Sequence, residues 1–294
     1  MSGLLLTILL TVMGGAHNAL AMEAFGNTYA PAPCNGMPGK TALIEARSGY
    51  LWGANEVCLR DGDNYNVPPM KTNVDLAGLI VGLQGEKFLL KDLAVRGQGW
   101  LNVPDQTSED FFFNSSRRIS DVNVRYIGVD LSLIYHFGIG GAPYSAGMVA
   151  GYRFNNFDQR SDGSVDGGSL SNDSAYLHVP YLGMYYADGQ FVGTVVRLDI
   201  LASPVVLARV DAKRDFLGTP MRIDGHSILG MWIECFFGWS IPLSDDALVG
   251  VFARYNFIEL SGGATAVTGG ASTRFSMDTR GHLLDSGISI TYTF

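Results

Sequence analysis

The last ten residues, Asp285-Ser-Gly-Ile-Ser-Ile-Thr-Tyr-Thr-Phe294, constrain the fold more than any other stretch of this chain. Ile288, Ile290, Tyr292 and Phe294 share one parity, and Gly287, Ser289, Thr291 and Thr293 share the other. A strand sends successive side chains to opposite faces, so the segment offers one apolar stripe and one stripe of small polar groups. The same period returns along the chain. Ile127, Val129, Leu131, Leu133, Tyr135 and Phe137 alternate with Gly128, Asp130, Ser132 and His136. Leu229, Met231, Ile233, Cys235, Phe237 and Trp239 form another stripe, with Glu234 of the opposite parity. This is the period of a strand and not of an amphipathic helix.

Composition says what such strands border. Apolar residues make up 47% of the chain and charged ones 16%, with a mean hydropathy of +0.15. After residue 21 no uninterrupted apolar run approaches the roughly 18 residues of a spanning helix. An apolar chain without such a run fits a membrane β-barrel, in which lipid-facing and lumen-facing residues interleave. The aromatic C-terminus resembles the assembly signal of bacterial outer-membrane barrels. Residues 1–21 read as a signal peptide, with an apolar stretch from Leu4 to Val12 and Ala19-Leu20-Ala21 as the cleavage site. Residues 22–40, with Pro31, Pro33 and Pro38, read as a periplasmic arm, leaving 41–294 for an all-β, antiparallel transmembrane barrel of about ten strands in the outer membrane. A net charge of −8 argues against a nucleic-acid partner. Of Cys34, Cys58 and Cys235 at least one stays free. Cys34 and Cys58 fall at opposite ends of the first strand, out of disulfide reach unless the arm folds into the lumen. No Cys/His cluster has metal-ligand spacing, and no cofactor is expected.

In order, the first strand runs from about Thr41 to Arg60 and the second descends from Met70 to a short turn at Gly85-Glu86. The third covers Phe88–Val103, and 104–120 reads as an external loop before the fourth strand, Asp121–Phe137. Strand five spans Ser145–Asp158 and a polar loop fills 159–175. Strand six, Leu177–Tyr186, reads as short and contains Pro180, and Asp188-Gly189 turns into strand seven. A fourth external loop, 203–222, leads to strand eight, Asp224–Trp239, then to a turn at Ser244-Asp245-Asp246, strand nine, a loop at 261–278 and strand ten. Inward-facing Glu45, Asp92, Asp130, Asp199 and Glu234 balance Arg47, Arg96, Arg153, Arg197 and Arg254. That balance suggests a lumen closed by ion pairs and not a wide pore.

Four motifs in this order resemble the omptin family of surface proteases. They are Gly49-Tyr50-Leu51, Gly97-Gln98-Gly99-Trp100-Leu101, Gly147-Met148-Val149-Ala150-Gly151-Tyr152 and Val179-Pro180-Tyr181-Leu182-Gly183-Met184. The resemblance spans nearly the whole mature chain and implies a ten-stranded barrel protruding above the membrane. It also implies partners among outer-membrane lipid, lipopolysaccharide and extracellular peptides. Its catalytic set is an acidic pair on the second loop facing an Asp-x-His pair on the fourth, which together activate a water. Carried onto this chain, the acidic pair is Glu109-Asp110, with Asp110 the better candidate because adjacent strand residues point opposite ways. The competing reading is an ordinary acidic loop. After strand seven, where Asp-x-His belongs, there is no histidine; Asp224-Gly225-His226, at the start of strand eight, is the one such pair in the region. Its competing reading is a solvated turn histidine.

Two functions remain open at this stage: an omptin-type aspartate/histidine endopeptidase, weakened or inactive for want of its base, and a non-catalytic barrel that binds a surface partner as an adhesin or a lipopolysaccharide-associated protein. A narrow channel is disfavoured by the balanced inward charges.

Overall fold

The structure is a computed structural model that describes residues 42–61, 70–90, 92–113, 116–137, 144–161, 172–191, 194–216 and 219–294. The expected signal peptide, the arm and Cys34 lie outside the described residues; Cys58 and Cys235 are half-buried free thiols. Strands follow one another as β1 (Ala42–Asp61), β2 (Met70–Leu90), β3 (Leu93–Pro104), β4 (Gln106–Phe113), β5 (Ser116–Phe137) and β6 (Tyr144–Ser161). They continue as β7 (Asn172–Phe191), β8 (Thr194–Ser203), β9 (Leu207–Phe216), β10 (Thr219–Pro242), β11 (Ala247–Thr268) and β12 (Ala271–Thr293). β1 pairs antiparallel with both β2 and β12, which closes the sheet on itself. β3 and β4 succeed each other along one course between β2 and β5, as β8 and β9 do between β7 and β10. The barrel therefore has ten courses, as the sequence led us to expect.

These strands are long. β2 has 21 residues, β12 has 23 and β10 has 24, whereas about 9–11 tilted residues suffice to cross a bilayer. Which half meets lipid is written on the outer surface. Leu131, Leu133, Leu182, Met184, Ile288 and Ile290 are exposed in the half that carries the C-terminus. Aromatic groups fringe this band at both edges. Tyr135–Phe137 and Tyr292–Phe294 pairs lie at one edge; Tyr50–Trp52, Tyr152–His178 and Tyr255–His282 pairs lie at the other. Ile44, the register partner of Tyr292, sits eight residues below Trp52 on β1. At about 3.3 Å per residue and a tilt near 40°, the fringes stand roughly 20 Å apart, close to the height of a lipid-facing band.

Beyond the upper fringe the alternation reverses its chemistry, on β12 with its parity kept. On β12, Asp285, Ser289 and Thr291 point inward while Ile288 and Ile290 point out; higher up, Phe275 and Met277 are the buried ones and Arg280 lies on the outside. Lipid requires apolar groups outside, and water requires them inside. This reversal corrects three expected loops. Residues 104–120 hold β4 and the start of β5, 203–222 hold β9 and the start of β10, and 261–278 hold a hairpin whose tip is Gly269-Gly270. Those two glycines have φ of 55° and 88°, the left-handed pair that a tight hairpin needs. Strands wetted outside lose their lipid stripe, and their polar outer residues imitate loop composition. Similarly, β6 and β7 run into the polar stretch expected at 159–175, as far as Ser161 and back to Asn172.

Other boundaries also move. Gly85-Glu86 is not a turn: both residues lie inside β2, and the chain reverses between Leu90 and Leu93. Glu86 points into the lumen against Arg96, and Asp92 belongs to the turn, where its carbonyl accepts the His136 N–H. β7 is a full 20-residue strand that continues through Asp188-Gly189 to Phe191. Its Pro180 falls between the stretch paired with β8 and the stretch paired with β9, where no ladder bond is lost on that side. The Ser244-Asp245-Asp246 turn is found as expected, closed by Leu243 N–H donating to Ala247 O at 2.8 Å.

Within the lipid-facing half the lumen is filled by charge. Arg153 is fully buried and binds Asp130 at 2.9 Å as well as Glu234 and Asn256. Its guanidinium carbon stands 5.0 Å from the Trp100 ring centre and 4.6 Å from that of Trp232. Arg96 bridges Glu86 and Asp199, Arg197 joins Asp199 to Glu45, Arg47 binds Glu45, and Arg254 binds Asp285. Every expected inward charge except Asp92 takes part, and Glu86 and Asp285 join them.

Candidate functional site

The second-loop acids sit on β4, in register with Asn73 and Val74 of β2 and with Ile119 and Ser120 of β5. Glu109 shares the face of buried Val74 and is itself 3% exposed, with the Ser120 hydroxyl 3.5 Å from its carboxylate. Asp110 shares the face of exposed Ile119 and accepts a 2.8 Å bond from Arg117 on the outer surface. Of the two, Glu109 faces the interior, so the preference for Asp110 does not match the geometry.

Asp224 and His226 lie on β10, whose course is diametrically across the ring from that of β4. They do form a pair: His226 Nε2 is 3.3 Å from Asp224 Oδ1, with Arg209 Nε 4.0 Å from the same oxygen. The pair nevertheless points outward. Ile223 and Ser227 are buried, whereas the His226 side chain is 63% exposed. The reason is one extra residue. Ser227 faces Gly262 and Leu229 faces Ser261, so Ile228 is inserted as a β-bulge and the facing parity changes there. Below the bulge, even-numbered Trp232, Glu234 and Phe236 point inward; above it, odd-numbered Ile223 and Ser227 do. Thus the structure puts the two groups on opposite walls, as a site across the mouth requires, but brings none of Asp110, Asp224 and His226 into the interior.

What lies between those walls is an apolar chamber of about 130 Å³ above the charged floor. Leu59, Met70, Phe111, Ile223, Met277 and Leu283 help to line it, and small residues such as Ala212 and Gly281 leave the space open. Among the described residues no histidine, lysine or arginine lines it. Its polar members include Asn55, Gln159 and Thr279, none of which the sequence reading singled out. The signal was present as the alternation of Ala264, Ala266, Phe275 and Met277, whose buried parity continues through a stretch that reads as a Gly/Ala/Ser/Thr loop.

No protein-family model and no curated protein sequence matches this chain. Among solved structures, it is similar to the outer membrane protease OmpT from Escherichia coli, with a TM-score of 0.74 at 11% identity over 88% of this chain and 98% of that one. It is less similar to the outer membrane protein OprG from Pseudomonas aeruginosa, with a TM-score of 0.41 at 11% identity over 86% and 97%. The likeness to OmpT establishes the fold, an antiparallel β-barrel of the outer-membrane type.

Proposed function

We propose that this chain is a non-catalytic barrel of omptin-like shape, whose protruding half binds a partner at the cell surface without hydrolysing it. The orientation of Asp224 and His226, outward on the wall opposite Glu109, carries this reading. A water held in the mouth would need a base directed at it, and loss of a general base costs about 10²–10⁴-fold in rate. The chamber supplies apolar walls in place of that base. The ion-paired floor supports binding over passage of solutes, because a guanidinium held by two carboxylates between two indoles packs buried side chains across the lumen at that level.

The test is cleavage of a library of basic peptides by full-length protein reconstituted in vesicles containing lipopolysaccharide. Expected is a rate equal to that of protein-free vesicles, unchanged by Glu109→Gln or His226→Ala. Robust cleavage that disappears with His226→Ala would overturn the proposal and restore a relocated peptidase site.

A further inference from the structure

We infer that the chamber in the protruding half is a binding site for a small, uncharged, apolar molecule bearing one hydroxyl or carbonyl group. Its size comes first. Protein interiors contain few voids larger than one water, and a water needs about 10–15 Å³ of such space. At about 130 Å³ the chamber has room for roughly ten. An apolar cavity of this order stays dry and takes up apolar ligands.

Its polar atoms set the ligand's functional group. Gln159 and Thr279 are 9% and 8% exposed, and Gln159 Nε2, Thr279 Oγ1 and Asn55 Oδ1 are buried without a hydrogen-bond partner in the protein. An amide N–H that can donate, a hydroxyl that can do either and a carbonyl oxygen that can accept are complementary to an alcohol or a ketone. A buried polar group left unmatched is unfavourable, so a ligand that supplies the missing partner gains affinity from it.

The chamber's charge excludes the other common amphipaths. Asp173 lines the chamber, and no lysine or arginine does among the described residues. A carboxylate or phosphate would be buried beside a like charge with no counter-ion, which is far costlier than burying a neutral hydroxyl. The fitting class is therefore a medium-chain or monocyclic alcohol or ketone, and fatty acids are rejected. This inference concerns binding alone and stands whether or not the barrel cleaves peptides.

The experiment uses the full-length barrel in lipid nanodiscs and a diazirine-bearing octanol, irradiated and mapped by peptide mass spectrometry. Expected are saturable adducts on chamber residues such as Met70 and Met277, together with non-saturable labelling of lipid-facing residues such as Leu131. At pH 8, 1-octanol should suppress the chamber adducts at a concentration at least about tenfold lower than octanoate does. Ala212→Phe and Ala175→Phe, which fill the chamber, should each lower chamber labelling about tenfold and leave the lipid-facing labelling unchanged. Thr279→Val, which keeps the shape and removes the hydroxyl, should weaken octanol competition severalfold and serves as the deciding variant if the filled barrels fail to fold. Labelling confined to the lipid-facing band, or chamber labelling indifferent both to the filling variants and to Thr279→Val, would overturn the site. Equal competition by octanoate would overturn the neutral ligand class.

Discussion

Replacing Arg153 by methionine tests whether the ion-paired floor holds the barrel together. Arg153 has no exposed side-chain surface, and it binds Asp130 Oδ2 at 2.9 Å and both carboxylate oxygens of Glu234. Methionine keeps much of the aliphatic volume between Trp100 and Trp232 but leaves two buried carboxylates without their cation. Breaking a buried ion pair from one side costs about 3–5 kcal/mol, most of it the penalty of the stranded charge. The lost cation–π contacts fall within the same figure and should not be added to it. An exposed pair gives the contrast: Lys71 and Glu56 are 3.0 Å apart with side chains 40% and 46% exposed, and Lys71→Met should change stability by less than about 1 kcal/mol. Equilibrium urea unfolding in lipid vesicles, followed by tryptophan fluorescence and heat-modifiable gel mobility, reads both. Adding Glu234→Gln to Arg153→Met should recover about 1–2 kcal/mol, because one stranded charge is removed. A loss below about 1 kcal/mol for Arg153→Met alone would mean that these ion pairs do not hold the floor together.

Two further predictions concern orientation. Leu131→Arg, on the lipid-facing band, should cost about 2–4 kcal/mol, whereas Ile119→Arg, equally outward but on the water-facing extension of β5, should cost almost nothing; equal unfolding midpoints would misplace the membrane boundary. A membrane-impermeant maleimide should label His226→Cys rapidly and Ser227→Cys slowly, and deletion of Ile228, which lets Ser227 and Leu229 keep Gly262 and Ser261 as partners in plain alternation, should leave that order unchanged; the opposite order in either chain would mean that Ile228 is not the inserted residue.

The lipid-facing half was legible because the bilayer applies a uniform demand. Every outward position from Ile127 to Phe137 meets hydrocarbon, so the stripe cannot be interrupted without cost, and the inward Asp130 and Ser132 stand out against it. The charged lumen followed from the same parity. Turns were harder. Gly85 looks like a turn residue, but it is not among the glycines of positive φ, and Glu86 beside it is needed within β2 to meet Arg96. The water-facing half was the least legible, since Gln106–Phe113 and Leu207–Phe216 carry the charged and polar residues of loops, and on one side each is held as a strand by a partner about forty residues earlier in sequence, β2 or β7. Long-range pairing of this kind leaves little local trace.

The facing of the Asp-x-His pair was hidden for a related reason. On β10 the outward stripe of Leu229, Met231, Phe237 and Trp239, if extended upward without a break, would put Asp224 and His226 on the face of Glu234. The extra residue at Ile228 reverses that assignment, and a bulge has no fixed sequence mark. Its consequence is chemical as well as geometric. Once Ile223 points inward to join Leu59, Met70 and Met277, its neighbours Arg222 and Asp224 must take the wetted face, where Arg222 bonds Asp211 at 3.1 Å and Asp224 meets His226. An apolar chamber and an inward Asp-x-His pair thus compete for the same positions on one strand. The bulge decides the competition in favour of the chamber, so the outward Asp224–His226 pair and the inward Ile223 of the chamber wall are two results of a single inserted residue.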